Sequence, residues 1–480
     1  MKRIVRLGLV LLLGTHQVLA ADMELTIELP DVELMLPPVS PPQLQKEGLP
    51  LVQERETVET LLDFIGRGAY DEAMAYLREH QPMTLDLLES GDPDGLLKNR
   101  AVVGGVMPTT RNGAISATLL YLIGHVYVSL EDYAPAETAF LSALGPVPDY
   151  IRVHESLGLL YLRTGRYEAA VEHLAHAAEL GLHTGNLFGA LGYLNYQLGN
   201  FWGAASAFQE ALMLVPDSTQ FKRGLLNSLS RTYQYRSVMT LAESMLKDDP
   251  DSEELWLYRA NAALQAGENQ AALASLETAI RLGDDTAANL QVCATLHMEI
   301  GSVARAVDLL KAGFAKGLNF AFIDQGMSWL QQQEEWDFLE QMIDSVRDDW
   351  DELDALQQSR VLLREADLHQ ERGDLAAARE ALEQAIDLDP TNAGALMSLA
   401  KIHQDNGDYN RAELLYQRAS AFDDYRQNAL ISLAQLALDQ DDYERALQTL
   451  RDVTSEFPER TDLARNIESL ENLVRLQSEN

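Results

Sequence analysis

The sequence predicts an all-α fold, a solenoid of tandem helix-turn-helix repeats, and three observations predict it. One pattern is written three times at a fixed interval: GDLAAAREALEQAIDLDP from Gly373, GDYNRAELLYQRASAFDD from Gly407 and DDYERALQTLRDVTSEFP from Asp441, each 34 residues after the last. The same register runs backwards, with its turn position at Glu131, Gly165, Gly199, Tyr233, Gly267 and Gly301. Each copy also carries a small residue and a large apolar residue at offsets that a packed helix pair requires. A fixed period of this length marks a supersecondary unit that cannot bury its apolar face alone and stacks on its neighbours.

Composition narrows the partners. The 480 residues carry a formal net charge of −37, which repels nucleic acid phosphates and anionic lipid headgroups. Nucleic acid is therefore excluded, and the carboxylates read as solvated helix faces. The single cysteine, Cys293, rules out an intramolecular disulfide and any multi-cysteine metal cluster. Its neighbours, QVCATLHMEI, place it at a buried, small apolar position.

Residues 1–20 have the form of a secretory signal peptide: Lys2, Arg3 and Arg6, an apolar run from Leu7 to Leu13, then Val18-Leu19-Ala20 before a cut at Ala21. The run is short for a bilayer span, so export with cleavage and no remaining transmembrane anchor is expected. Residues 21–50 alternate acidic with apolar residues and then gather Pro37, Pro38, Pro41 and Pro42. Proline at that density resists helix, giving a tether, a docking strand or an unstructured lead-in. Residues 51–80 regain helical spacing, and Gly68 to Leu77 matches half of the repeated pattern, so an isolated N-terminal hairpin is expected. Residues 81–116 break the rhythm with GDPDG, VVGG and PTTRNG, which reads as a loop-rich insertion.

From 117 to 320 the register holds. The position two after the turn reads Tyr133, Tyr167, Phe201, Tyr235, Asn269 and Val303, and the small position three later reads Ala136, Ala170, Ala204, Val238, Ala272 and Ala306. First helices carry Gly124, Gly158, Gly192, Ala260 and Ala294, expected to face the small residue of the second helix so that the backbones approach. Phe140, Leu174, Phe208, Leu276 and Leu310 are expected to reach into the next unit, and Pro148, Pro216 and Pro250 stop second helices. Residues 321–358 keep helical periodicity, lose the small residues and slip out of register before Gly373, which reads as a degenerate repeat with an acidic loop. The array resumes over 359–460, and 461–480 form a polar capping helix.

This pattern resembles the tetratricopeptide repeat family over roughly residues 51 to 80 and 117 to 460. The resemblance implies a right-handed superhelix whose first helices line a concave groove for a protein or peptide partner. Projected onto the register, the groove positions are Asn186, Tyr193, Tyr196, Gln197, Gln220, Arg223, Asn227, Arg231, Asn261 and Gln265. Arg223, Asn227 and Arg231 are four apart and share one helix face, a local basic and amide stripe able to hold a carboxylate or a peptide backbone. An ordinary wet helix surface is the other reading of the same residues. Arg223 and Asn227 match the family's carboxylate clamp in one repeat, but Tyr258 stands where that clamp needs an amide, and Ala288 and Val292 where it needs basic residues.

No catalytic set is visible, and neither GxSxG, a phosphate-binding loop nor HExxH occurs. His173, His176 and His183 raise the question of a metal, and Asp348, Asp349, Asp351 and Asp354 of calcium, but both groups read as packed or solvated side chains. No metal, no cofactor and no enzyme activity are expected. The functional expectation is a non-catalytic scaffold or adaptor in the periplasm of a Gram-negative bacterium, serving a cell-envelope machine of the TonB-type energising, secretion or polysaccharide-export kind. Two alternatives stand beside it: an accessory enzyme with its site in 81–116, and a binder of a small acidic ligand at the Arg223 stripe.

Overall fold

The computed structural model describes residues 54–91 and 115–478. The expected signal peptide, the proline-rich segment and residues 92–114 of the insertion lie outside them. The described residues fold into helices, with no strand among them: α1 (Arg55–Gly66), α2 (Tyr70–His80), α3 (Pro82–Glu89), α4 (Ala117–Ser129), α5 (Tyr133–Leu144), α6 (Ile151–Arg163), α7 (Tyr167–Glu179), α8 (Gly185–Gln197), α9 (Phe201–Leu214), α10 (Thr219–Arg231), α11 (Tyr235–Leu246), α12 (Glu253–Gln265) and α13 (Asn269–Leu282). There follow α14 (Ala287–Glu299), α15 (Val303–Ala315), α16 (Phe320–Gln332), α17 (Trp336–Arg347), α18 (Ala355–Glu371), α19 (Leu375–Leu388), α20 (Ala393–Asp405), α21 (Tyr409–Ala419), α22 (Asp423–Asp439), α23 (Tyr443–Glu456) and α24 (Ala464–Ser478). From α4 onward the even-numbered helices are first helices of a hairpin, and the odd-numbered ones up to α23 are second helices. The chain divides inside α13, between Ala272 and Leu273, into two compact units.

One backbone device closes every hairpin. The second residue after the first helix has a positive φ, between 57° and 78°, at Glu131, Gly165, Gly199, Tyr233, Gly267, Gly301, Glu334, Gly373, Gly407 and Asp441. That conformation turns the next amide back onto the helix. The Arg166 amide donates to the Tyr161 carbonyl at 2.8 Å and the Gly165 amide to Leu162 at 3.2 Å, the Schellman arrangement that satisfies otherwise orphaned carbonyls. The corresponding long bond recurs in all ten hairpins, down to Asp442 onto Ala437.

In the unit ending at Ala272 each second helix packs on its own first helix and on the next one: α5 on α6, α7 on α8, α9 on α10 and α11 on α12. The small residues of the first helices make room for large side chains as well as for the expected backbone approach: a Cβ on Gly158 would lie 2.5 Å from Leu174 and 3.3 Å from the Ala170 carbonyl oxygen. A Cβ on Gly192 would lie 2.8 Å from the Phe208 ring, and one on Gly224, in the following first helix, 2.5 Å from the same ring. Phe208 thus fills two notches at once, one in its own hairpin and one in the next. Burying such a ring is a large part of what a repeat gains by stacking.

The N-terminal hairpin is not isolated. Helices α1 and α2 pack on α4, and α3 packs on α5, because Leu61, Leu77, Leu85 and Leu88 are buried and need that cover. The Ser116 amide donates to Glu54 Oε1 at 3.2 Å across the same junction. Helix α3 occupies the start of the stretch expected to be loop. Pro82 opens it as a first-turn proline, a position where the missing N–H costs nothing.

The unit from Leu273 repeats the scheme: α15 packs on α16 and α17, α17 on α18, α19 on α20, α21 on α22, and α24 closes the row against α23. The stretch read as a degenerate repeat is a full hairpin. Gly326 supplies a notch for the preceding hairpin, as Gly224 does, where a Cβ would stand 2.6 Å from Leu310, and Glu334 supplies the turn, one residue earlier than the 34-residue register demands. The slip before Gly373 is taken up by the short helix Trp350–Glu352 and by the length of α18, 17 residues where most first helices have 13. No described helix is long and apolar enough to cross a membrane.

Candidate functional site

The positions projected onto the groove fall on α8, α10 and α12, successive first helices of one unit. Their ends are set by local chemistry: Thr184, Ser218 and Ser252 each accept, through the side chain, the amide of the residue three ahead, which satisfies a first-turn donor. With the helices anchored this way, the side chains sort into two groups.

One group ties the helices together. Arg223 on α10 pairs with Glu254 on α12 at 2.9 Å, and the buried Asn227 accepts the Tyr258 hydroxyl through Oδ1 at 2.5 Å. Burial drives the Tyr258 phenol far above its ordinary pKa, so the group donates at any physiological pH. Tyr193 is buried, which raises the pKa of its phenol. Tyr196 meets the Phe201 ring edge-on at 5.1 Å.

The second group is less enclosed. Asn186, Gln197 and Arg231 are exposed, Gln265 likewise, and Gln220 and Asn261 are half-buried. Arg231 lies over the Phe201 ring, 5.0 Å from its centroid, a cation–π contact that orients the guanidinium without neutralising it. Of the basic stripe, then, Arg223 and Asn227 are engaged between repeats and Arg231 is presented. Glu254 and Tyr258 complete the inter-repeat contact. Their spacing, four apart on α12, mirrors that of Arg223 and Asn227 on α10, but spacing alone does not say which residues of two neighbouring helices meet.

The histidines separate. His183 stacks on Phe188 with centroids 5.8 Å apart, whereas His173 places Nδ1 2.9 Å from Nδ1 of His154, and His176 meets the His154 ring at 4.5 Å between centroids. Burial lowers the pKa of both His154 and His173. The acidic run is used locally: Asp354 caps α18, accepting the Gln357 amide at 2.8 Å while its own amide donates to Gln357 Oε1.

Two further polar groups lie in the second unit. Arg364 on α18 donates to Asp324 Oδ1 at 3.1 Å and to Gln331 Oε1 at 2.8 Å, both on α16. Beside it burial pushes the Asp367 carboxyl up to about 6, against the pull of Arg364 and a hydrogen bond from Gln331. On α13 and α14, Glu277, Cys293 and His297 bring their ligand atoms within 4.8 Å of one another. Cys293 is buried as expected, but its thiol faces a carboxylate, 3.8 Å from Glu277 Oε1.

Two family models, both described as tetratricopeptide repeat, match residues 121–186, 157–219 and 240–288 in one case and 369–424 and 403–467 in the other. Superkiller complex protein 3 of Mus musculus is 27% identical over 169 residues, which is 33% of this chain and 11% of that protein's length. Among solved structures, Naa15/Naa10 bound to HypK-THB aligns at 18% identity and a TM-score of 0.37, covering 70% of this chain and 68% of that one. Yeast Tom70 aligns at 15% identity and a TM-score of 0.35, covering 75% and 97%. The family matches follow the hairpins built above, with their 34-residue turns and notched first helices, and the chain belongs to the tetratricopeptide repeat family.

Proposed function

We propose that this protein is a non-catalytic scaffold that holds a protein or peptide partner along α8, α10 and α12, and that it works in the periplasm as part of a cell-envelope machine. Repeats of this family imply a protein-binding role. The observation that carries the choice of surface is the division of labour on α10: Arg223 and Asn227 fix the neighbouring helix, while Arg231, over Phe201, is held out to solvent. A pre-oriented guanidinium among amides binds peptide carbonyls and carboxylates at low ordering cost. The periplasmic part of the reading is supported by the signal-like pattern of residues 1–20 and the single cysteine. The TonB-type, secretion and polysaccharide-export systems are the machines it would serve.

The experiment is photo-crosslinking in cells at native expression, with the reactive residue at Asn186 or, as a control on a second helix, at exposed Glu210. A discrete adduct from Asn186 that Glu210 does not give, lost in Arg231→Ala, supports the surface. Equal labelling from both positions, or none, refutes it. Mass spectrometry of the recovered chain tests export, which requires a mature N-terminus at Ala21.

A further inference from the structure

Outside the row just described, one buried cluster has the composition of a metal site. Cys293 and His297 are four apart on α14, which places both on one helix face. Glu277 reaches them from α13. Cys293 is fully buried and His297 nearly so. The His297 Nε2 stands 2.8 Å from Glu277 Oε1, the same oxygen that lies 3.8 Å from Cys293 Sγ.

Arg305 on α15 completes the surroundings. Its Nε donates to Glu277 Oε1 at 2.8 Å and its Nη2 to Oε2 at 2.9 Å. One carboxylate oxygen is therefore approached by three groups, the thiol, the imidazole and the guanidinium Nε, while Oε2 takes only Nη2. At that distance the His297 Nε2 carries a proton and donates it to Glu277 Oε1; Nδ1 is buried without a hydrogen-bond partner, so it is free to take the ring proton when Nε2 gives it up.

We propose that Glu277, Cys293 and His297 form a zinc-binding site with three protein ligands and an open fourth position. The donor set decides the ion: thiolate and imidazole select Zn²⁺ and disfavour Mg²⁺ and Ca²⁺, which take oxygen ligands. Bonds of about 2.3 Å to sulfur and about 2.0 Å to nitrogen and oxygen, at tetrahedral angles, separate ligand atoms by roughly 3.3 to 3.5 Å. The three atoms already lie within 4.8 Å of one another, so a small opening of the imidazole–carboxylate contact admits the ion. On binding, the Cys293 thiol releases its proton to solvent, the imidazole proton moves from Nε2 to Nδ1 by exchange with solvent, and Sγ, Nε2 and Oε1 each donate a lone pair. Arg305 yields Oε1 and keeps Oε2, where it orients the carboxylate as outer partners of metal ligands do. The fourth position takes water or a donor from a bound partner.

Co²⁺ titration of the reduced, metal-free full-length protein tests this. The expected result is thiolate-to-cobalt absorption in the near ultraviolet together with visible bands of a tetrahedral ion, saturating at one ion per chain and abolished by Zn²⁺. Cys293→Ser removes the near-ultraviolet band, and His297→Ala weakens binding by at least the roughly 10–100-fold that losing even an outer partner costs. Because Glu277→Gln also breaks the Arg305 ion pair, Arg305→Met is the second variant: it keeps all three ligands and must keep the band. The proposal is overturned if the wild-type protein gives no thiolate band in excess Co²⁺, or if the band survives Cys293→Ser. Loss of the band in Arg305→Met even at Co²⁺ concentrations several hundred-fold above those that saturate the wild type, with the helical circular dichroism intact, also overturns it.

Discussion

The Tyr258 hydroxyl donates to Asn227 Oδ1 at 2.5 Å, joining two successive first helices through a bond that is buried at both ends. Removing one partner leaves the other buried and unsatisfied, which costs more than the net worth of the bond. Tyr258→Phe is expected to destabilise the junction of α10 and α12 by about 1–3 kcal/mol, read as earlier exchange of the α10 and α12 amides. In a double-mutant cycle with Asn227→Ala the two changes are non-additive. Additive losses would mean that the bond does not form.

Phe208 sets a tighter condition on the neighbouring notch. Gly224→Ala places a methyl group 2.5 Å from the Phe208 ring, and overpacking of that kind typically costs about 1–3 kcal/mol. Phe208→Leu in the same chain is expected to recover part of the loss in urea unfolding, because the obstruction is the ring itself.

The hairpin turns give a paired test. Gly373→Ala puts a Cβ on a residue at φ 77°, and about 1 kcal/mol of stability should be lost. Glu334→Gly, at φ 59°, relieves the same strain. Its gain is smaller, at most about 1 kcal/mol, since glycine also loosens the unfolded chain. Thermal unfolding of the two variants should therefore shift in opposite directions.

Asp367 predicts a pH dependence of definite sign. Burial raises its folded pKa to about 6, above the ordinary aspartate value of 3.8, so the folded state takes up a proton at a higher pH than the unfolded chain. This group's contribution to stability therefore increases as pH falls from about 7 towards 4 and is lost again as pH rises through 6. Asp367→Asn should flatten the stability profile over that window and raise stability at pH 7.5, by about 1–3 kcal/mol on a shift of this size. An unchanged profile would refute the assignment.

The sequence announced the hairpins because their turn residues are mostly glycine, and glycine at a left-handed position is visible without coordinates. It concealed the hairpin of α16 and α17 for the same reason. Its turn residue is Glu334, which advertises nothing, and it sits one residue short of the register. Helix α3 was hidden by the proline and glycine around it, although Leu85 and Leu88 sit three apart on one face. Of the candidate row, the spacing located the helices. It did not reveal that Glu254 and Tyr258 engage Arg223 and Asn227, nor that Phe201 carries Arg231, because those pairings depend on how far one hairpin is displaced along the next.

The four left-handed turns that lack glycine, at Glu131, Tyr233, Glu334 and Asp441, close the first, fourth, seventh and tenth hairpins counted from α4. A second rhythm, three hairpins long, is thus laid over the 34-residue one. Each strained closure is separated from the next by two hairpins closed on glycine, so no two weak fasteners are adjacent. Fraying that starts at one of them meets a well-fastened hairpin before it meets another weak one, and the chain can loosen in places without unzipping along its length.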